Sequence, residues 1–256
     1  MTKKNVLITG GATGIGTQIA HQLAKEGHFI FINYRNRKER AEQLVCDLKR
    51  RYAVDAQAIS GDVAKKEDCI AMQQTIQKTA EGIDILIHNA GPYIHERKEM
   101  VRYDFSEFDY IVSGNLNGVF YLSKLFIPYM RKQKWGRIIT FGFDRAETAP
   151  GWLYRSAFAA AKTGLVSLTK TMSMEEASYG ITVNMVSPGD IRPEWKEKSI
   201  ADAKHVHDPD TPVGRPGTGE DIARVVSFLC SNESSFITGS IIHVNGGKDV
   251  LGKING

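Results

Sequence analysis

A glycine-rich loop near the amino terminus has the residue types and spacing that bind a phosphate-bearing cofactor. Residues 9–16 follow a short apolar segment and contain Gly10, Gly14 and Gly16. In such a loop the first glycine permits a tight turn, the second lets the backbone approach a pyrophosphate, and the third allows close helix–strand packing. A helix that begins there offers free amide groups to the phosphates. A purely structural turn is the alternative, but the position between a strand and a helix favours dinucleotide binding by Gly10, Thr13, Gly14, Ile15 and Gly16.

Two arginines follow the second predicted strand, where a dinucleotide-binding fold distinguishes between cofactors. An NAD-binding protein would place an acidic residue near Tyr34, because a carboxylate accepts a hydrogen bond from the ribose 2′-hydroxyl. The chain has no acid there and continues with Arg35 and Arg37. A guanidinium pairs well with a 2′-phosphate, so the pattern favours NADP(H) over NAD. The alternative is that the arginines are only the basic start of the next helix, and this explains Arg37 better than it explains Arg35.

Residues that bind metals or form disulfides are scattered along the chain. Cys46, Cys69 and Cys230 are far apart and odd in number, which is typical of free thiols in a reducing compartment. His205 and His207 lie close in sequence but have no third ligand nearby, so solvated histidines are the better interpretation. We therefore predict no metal site.

Composition excludes two other classes of function. The net charge is only +4, and the basic runs at 35–38 and 131–134 are short, so we expect no nucleic-acid binding. No apolar run approaches the roughly 18 residues of a transmembrane helix, so we expect no membrane partner. A predicted strand at residues 5–9 leaves no room for a signal peptide, which indicates a cytoplasmic protein.

Strand-length apolar runs alternate with amphipathic helical segments along the whole chain. The runs lie at 6–8, 29–32, 56–59, 83–87, 137–141, 181–186 and 240–244, and helices are predicted between them, including long ones near 106–132 and 155–178. Apolar strands separated by helices predict a doubly wound, seven-stranded parallel sheet, a Rossmann fold of α/β class. With 42% hydrophobic residues and no linker, residues 1–256 are expected to form a single domain. Ligands of such sheets bind at the carboxyl ends of the strands.

The glycine-rich loop and the motifs that follow it resemble the short-chain dehydrogenase/reductase family over essentially the whole chain. The matching segments are 62–63, 88–91, 114–120, 159–165, 187–191, 214–216 and 244–247. Within that family the layout is most similar to the 3-oxoacyl-acyl-carrier-protein reductases. The resemblance implies hydride transfer between NADP(H) and a carbonyl or alcohol. It also implies a small-molecule or acyl-carrier-linked carbonyl substrate, a substrate loop near 190–213, and a homo-oligomer, either a tetramer or a dimer.

The resemblance also assigns roles to individual residues. Asn115 matches an asparagine of the family's catalytic set, and Lys162 matches the lysine that holds the nicotinamide ribose. Further cofactor contacts are implied for Asp62 and Val63 at the adenine, and for Asn89, Ala90, Gly91, Pro188, Gly189 and Ile191.

Two positions depart from the family pattern. The family places its proton-donating tyrosine four residues before the lysine, where this chain has Phe158. Its carbonyl-binding serine falls on Phe143, or on Gly142 if the loop is shifted by one residue. Enoyl-reductase relatives place a tyrosine seven residues before the lysine, where the chain has Arg155. Tyr154 is the candidate replacement, because residues at i, i+4 and i+8 share a helix face with Lys162. The alternative is that Tyr154 only lines the cleft.

Two functions therefore remain in competition. The first is an NADP(H)-dependent oxidoreductase with an altered proton donor, and the second is a catalytically impaired cofactor-binding protein, such as a sensor or a partner subunit. The extent of the family resemblance favours the enzyme, whereas Phe158 favours the binding protein. Trp152 and Trp195 are expected to flank the cleft, as lining or as plain packing.

Overall fold

Seven parallel strands form the centre of the protein in a computed structural model, which describes residues 3–249. The strands are β1 (Asn5–Ile8), β2 (Phe29–Tyr34), β3 (Ala56–Ser60), β4 (Ile85–His88), β5 (Gly136–Phe141), β6 (Ile181–Pro188) and β7 (Ile241–Val244). They are ordered β3-β2-β1-β4-β5-β6-β7, so the chain reverses its direction of travel across the sheet between β1 and β4. The predicted Rossmann architecture is confirmed, and the β1/β4 switch point is where such sheets bind ligands.

Helices cover both faces of the sheet, which explains why the strand sequences are almost continuously apolar. The helices are α1 (Ile15–Lys25), α2 (Lys38–Tyr52), α3 (Lys66–Ile76), α4 (Phe105–Val112), α5 (Gly118–Gln133), α6 (Ser156–Glu176), α7 (Ile200–Ala203) and α8 (Gly219–Cys230). Val6 and Ile8 pack under α1, α2 and α8, while Leu7 between them packs with α3, α5 and α6 on the other face. Successive side chains of a strand thus stabilise opposite layers.

The long helix expected over 106–132 is interrupted. Helices α4 and α5 are separated by one π-helical turn, Ser113–Asn117, and α4 begins with a capping box formed by Asp104 and Glu107. Asn115 lies in that turn, where its Nδ2 donates to the carbonyl oxygen of Ile111 at 2.9 Å. A hydrophobic pattern does not distinguish an α turn from a π turn, and π turns often accompany functional residues.

Helix α6 spans Ser156–Glu176, close to the predicted segment 155–178. Its first residue is Ser156, and Tyr154 precedes it in a turn with a φ of 65°. Tyr154 therefore lies outside the helix. Within residues 3–249, no helix has both the length and the apolar character needed to cross a membrane.

Candidate active site and cofactor cleft

The glycine-rich loop is tightly enclosed at the carboxyl end of β1. Gly10 has a φ of 58°, and a Cβ atom there would lie 3.1 Å from the Cα of Ala90. A Cβ at Gly16 would lie 2.8 Å from Nδ2 of Asn89. Both positions therefore need glycine, the first for its backbone conformation and both for close approach.

Buried amide side chains hold this loop against the neighbouring strands. Asn33, on β2, accepts a hydrogen bond from the Gly10 amide at 3.1 Å and donates to the carbonyl of Gly61 at 2.9 Å. Asn89 donates to the carbonyl oxygens of Thr9 and Gly10 at 3.0 and 3.1 Å. Sequence reasoning missed Asn33, although an asparagine within an otherwise apolar, buried strand is a signal for such a role.

The amino end of α1 already holds an anionic group. The Gly14 amide donates to Oε1 of Glu197 at 2.8 Å, and Oε2 of the same carboxylate accepts from Nη2 of Arg40 at 3.0 Å. Glu197 belongs to the segment predicted as the substrate loop. The carboxylate occupies the place expected for a pyrophosphate. The loop and the positive end of the helix dipole therefore stabilise an anion there, so the residues present fit a dinucleotide.

The predicted adenine and 2′-phosphate residues lie together beyond β2 and β3. The Asp62 carboxylate accepts from the Ala64 amide at 3.0 Å and from the Tyr110 hydroxyl at 3.2 Å. Nη1 of Arg35 lies 3.8 Å from Oδ2 of Asp62, and half of the Arg35 side chain is exposed. Arg37 is also exposed, directly before α2. Both guanidinium groups are thus open to a ligand, and that of Arg35 lies next to Asp62.

Lys162 and Asn115 converge on Gly91 at the carboxyl end of β4. A Cβ on Gly91 would lie 2.5 Å from Oδ1 of Asn115 and 3.6 Å from Nζ of Lys162. Oδ1 of Asn115 is buried without a hydrogen-bonding partner among residues 3–249, while Nδ2 donates to the Pro92 carbonyl at 2.8 Å. Burial lowers the pKa of Lys162 to about 8. The pair places a buried ammonium group and an unused acceptor beside Gly91.

His88 lies beside this group but is not a proton donor at neutral pH. It is completely enclosed, and desolvation, followed by the charge of Lys162, lowers its pKa to about 3. Its Nε2 lies 3.1 Å from the Ser123 hydroxyl. The ring is therefore neutral, and its contact with Ser123 belongs to the core.

Four aromatic rings occupy the space in front of Lys162. Phe143 packs against Trp152 with centroids 4.9 Å apart, and Trp152 lies 6.0 Å from Phe158. Tyr93, from the loop after β4, meets Phe158 edge-to-face at 5.0 Å. Nζ of Lys162 lies 5.6 Å from the Phe158 ring centroid. The lysine thus faces an apolar wall, with Tyr93 as the hydroxyl-bearing ring of the cluster.

Comparison with known proteins supplies the family. Residues 10–249 match a family model described as enoyl-(acyl carrier protein) reductase. The chain is 47% identical to YtkK of Bacillus subtilis, a protein named as an oxidoreductase, over 98% of both chains. It is 37% identical to the 3-oxoacyl-(acyl-carrier-protein) reductase FabG of Staphylococcus aureus, over 95% of this chain and 97% of that protein. The chain belongs to the short-chain dehydrogenase/reductase family.

Solved structures agree with this assignment. A structure described as a 3-oxoacyl-reductase from Bacillus thuringiensis superposes with a TM-score of 0.90 at 47% identity, covering 97% of this chain and 99% of that one. The acetoin dehydrogenase YohF from Salmonella typhimurium gives 0.87 at 28% identity, covering 100% and 99%. The predicted resemblance to 3-oxoacyl-acyl-carrier-protein reductases is confirmed, and the chain is an oxidoreductase with a nicotinamide cofactor.

One predicted feature of this short-chain dehydrogenase/reductase is wrong. Tyr154 does not share a helix face with Phe158 and Lys162, because α6 begins at Ser156. The Arg155 guanidinium donates from Nη1 to the Tyr154 carbonyl at 3.1 Å and to the Glu96 carbonyl at 2.6 Å. The left-handed backbone of Tyr154 and this clamp turn the chain before the helix starts, so a 3.6-residue repeat does not apply.

The segments expected to close on the nicotinamide lie where β6 ends. The Gly189 amide donates to the Val244 carbonyl at 3.0 Å, and a Cβ on Gly189 would lie 2.7 Å from the Cα of Asn245. Pro188 ends β6 beside Val244 of β7, and Ile191 is buried just beyond it.

The loop after β5 is anchored to β7 through charged groups. Asp144, next to Phe143, accepts from Nδ2 of Asn245 at 3.0 Å and lies 3.2 Å from Nδ1 of His243. Nε2 of His243 lies 3.0 Å from Oε1 of Glu147. These contacts fix the loop that carries Phe143.

His205 and His207 are exposed, and within residues 3–249 no group of three potential ligands lies close enough together to hold a metal ion.

Proposed function

We propose that the protein is an NADP(H)-dependent reductase that converts carbonyl groups of small-molecule or acyl-carrier-linked substrates to alcohols. The observation that carries the proposal is the convergence of buried Lys162 and Asn115 on Gly91, at the same end of the sheet as the glycine-rich loop. The similarity to FabG, named as a 3-oxoacyl-(acyl-carrier-protein) reductase, supports 3-oxoacyl thioesters as the first substrates to test.

Each predicted residue has a task in this proposal. The nicotinamide, when bound, supplies the hydride for the carbonyl carbon. The amides of residues 14–16 bind the pyrophosphate at the positive end of α1. Arg35 and Arg37 pair with the 2′-phosphate, and Lys162 holds the ribose. Asn115, whose Oδ1 has no partner among residues 3–249, offers an acceptor beside Gly91 and Lys162. The apolar rings exclude water from the reacting carbon.

Cofactor preference gives the first prediction. Arg35→Ala removes a charge-assisted contact worth roughly 1.5–3 kcal/mol, so the variant should bind NADPH more than tenfold more weakly and NADH almost unchanged. Isothermal titration calorimetry on the wild type and the variant measures both affinities. Arg50→Ala is the matched control, since Arg50 is exposed on α2 and, among residues 3–249, its one ion pair is with Asp47. Equal affinity of the wild type for NADPH and NADH would refute NADP(H) preference.

The substrate class is tested by the oxidation of NADPH, followed at steady state, with 3-oxoacyl thioesters and small ketones. A catalytically impaired cofactor-binding protein is the alternative that Phe143 and Phe158 raise, and the similarity to named oxidoreductases does not favour it. Turnover on any of these substrates excludes this alternative. Tight NADPH binding with no turnover on the whole panel excludes the reductase.

We also propose that the protein acts as a homo-oligomer in the cytoplasm. Helices α4 and α5 expose Phe105, Phe108 and Phe120, and such apolar patches are typical of surfaces that a partner covers.

A further inference from the structure

A proton donor is missing from the positions where the family carries one. Reduction of a carbonyl leaves negative charge on oxygen, and a positioned acid that neutralises it contributes about 10²–10⁴-fold in rate. Phe158 and Phe143 carry no exchangeable proton. His88 is neutral, because its pKa is lowered to about 3. A hydroxyl group that could donate this proton therefore has to be sought elsewhere in the fold.

We propose that Tyr93 donates this proton, an inference that rests on the proposed carbonyl-reductase function. Tyr93 lies three residues beyond Ala90 in the loop after β4, at the switch-point end of the sheet. Its ring meets the Phe158 ring at 5.0 Å and 89°. The phenol therefore stands against the residue that occupies the family's tyrosine position, one helical turn before Lys162 on α6.

Two side chains hold the loop that carries Tyr93. Nδ2 of Asn115 donates to the carbonyl of Pro92, the residue before Tyr93, at 2.8 Å. The Arg155 guanidinium donates to the carbonyls of His95 and Glu96 at 3.0 and 2.6 Å. It also lies over the Tyr93 ring, 4.9 Å from the centroid.

This clamp is what a catalytic side chain on a loop requires, because a donor works only when its geometry is held by surrounding contacts. Asn115 and Arg155 also stand at positions where family members have catalytic groups. In this chain both side chains donate hydrogen bonds to carbonyl groups of the loop that carries Tyr93.

Tyr154 lacks these features. It precedes α6 with a φ of 65°, and within residues 3–249 no ring contact joins it to the cluster of Tyr93, Phe143, Trp152 and Phe158. Tyr154→Phe is therefore the matched control for Tyr93→Phe, since it removes a hydroxyl of the same kind just outside the cluster.

The proton step balances as follows. As the carbonyl carbon gains hydride, the π electron pair of the C=O bond moves onto oxygen. The Tyr93 O–H bond breaks, its proton forms the O–H bond of the alcohol, and the phenolate regains a proton from solvent. The sum is carbonyl, NADPH and one proton to alcohol and NADP⁺. In the alcohol-oxidising direction Tyr93 accepts the same proton.

Kinetics and binding test the role together. Tyr93→Phe should lower kcat with acetoacetyl-N-acetylcysteamine by about 10²-fold or more, as expected for loss of a general acid. Its NADPH affinity, measured by calorimetry, should stay within about twofold of the wild type. Tyr154→Phe should keep most of the wild-type turnover.

A measurement without turnover gives an independent result. In protein carrying ring-labelled ¹³C-tyrosine, the Cζ signal that is absent from Tyr93→Phe identifies Tyr93. With NADP⁺ bound, which prevents reduction, added acetoacetyl-N-acetylcysteamine should shift that Cζ signal and leave the Tyr154 signal in place.

The outcomes separate this inference from the proposed function. Full turnover in Tyr93→Phe, or a loss confined to Tyr154→Phe, overturns the role of Tyr93 while the reductase function stands. An unshifted Tyr93 signal under saturating ligand also overturns it. A wild type that binds NADPH and reduces no substrate overturns the reductase function, and the role of Tyr93 with it.

Discussion

Glu197 competes with the cofactor for the amide at the start of α1, and its removal should tighten cofactor binding. Its carboxylate accepts from the Gly14 amide at 2.8 Å and from Arg40 at 3.0 Å. Its main-chain carbonyl accepts from Nε2 of Gln18 at 2.7 Å, so the segment is attached to α1 at a second point. A pyrophosphate that uses the same amide must displace the carboxylate. We expect Glu197→Gln to bind NADPH more tightly than the wild type.

The size of the gain follows from the exposure of the groups. A hydrogen bond to a charged acceptor contributes about 1.5–3 kcal/mol when it is protected from water. The Glu197 side chain is 39% exposed and that of Arg40 is 54% exposed, so solvent screens a large part of both interactions. Glutamine also retains a neutral acceptor. About 0.7–1.4 kcal/mol remains, which corresponds to a roughly three- to tenfold lower Kd for NADPH.

Isothermal titration calorimetry with NADPH measures the change, and Trp195 fluorescence reports movement of the same segment. Glu194→Gln is the matched control, because Glu194 is exposed in that segment and lies 3.8 Å from Arg192, away from the glycine-rich loop. Adenosine 2′,5′-bisphosphate, which has no pyrophosphate, should bind wild type and Glu197→Gln with equal affinity. An unchanged or higher Kd for NADPH in Glu197→Gln would refute the reasoning, and so would equal gains in both variants.

Two further predictions concern Phe158 and Lys162. Phe158→Tyr should raise carbonyl-reductase turnover, since Lys162 and Asn115 are already in place, and adding Phe143→Ser should raise it further. Steady-state kinetics measure both variants. No rise in turnover in either variant, with NADPH still bound, would contradict the assignment of these positions. Lys162→Met should stabilise the fold at pH 7, because burial lowers the lysine pKa from 10.5 to about 8 and so penalises the charged form in the folded state. Below pH 8 the full penalty, about 3 kcal/mol at about 1.4 kcal/mol per pKa unit, acts against folding. As pH rises from about 8 to 10.5, the unfolded chain binds more protons than the folded one, so the penalty fades and wild type and variant should converge. Urea unfolding of both proteins across this range measures the difference, and a constant difference would contradict the burial of a charged lysine.

Local patterns determined the fold and the cofactor cleft. Apolar strands that alternate with amphipathic helices leave few arrangements other than a parallel sheet covered on both faces, since each element must bury its apolar side. The spacing of Gly10, Gly14 and Gly16 is equally local, because one turn between a strand and a helix sets it. The sequence by itself also showed that Phe158 stands where the family carries its tyrosine, because that position is four residues before Lys162.

Only the tertiary structure decided which distant side chains meet. The i, i+4, i+8 spacing predicted that Tyr154 shares a helix face with Lys162, but Tyr154 has a left-handed backbone and precedes the first residue of α6. Glu197 contacts Gly14, and Tyr93 contacts Phe158. The order of the parallel strands brings their loops, which are far apart in sequence, together at the carboxyl end of the sheet. Such contacts depend on the register of the strands and on the conformation of the loops, and a local sequence pattern predicts neither.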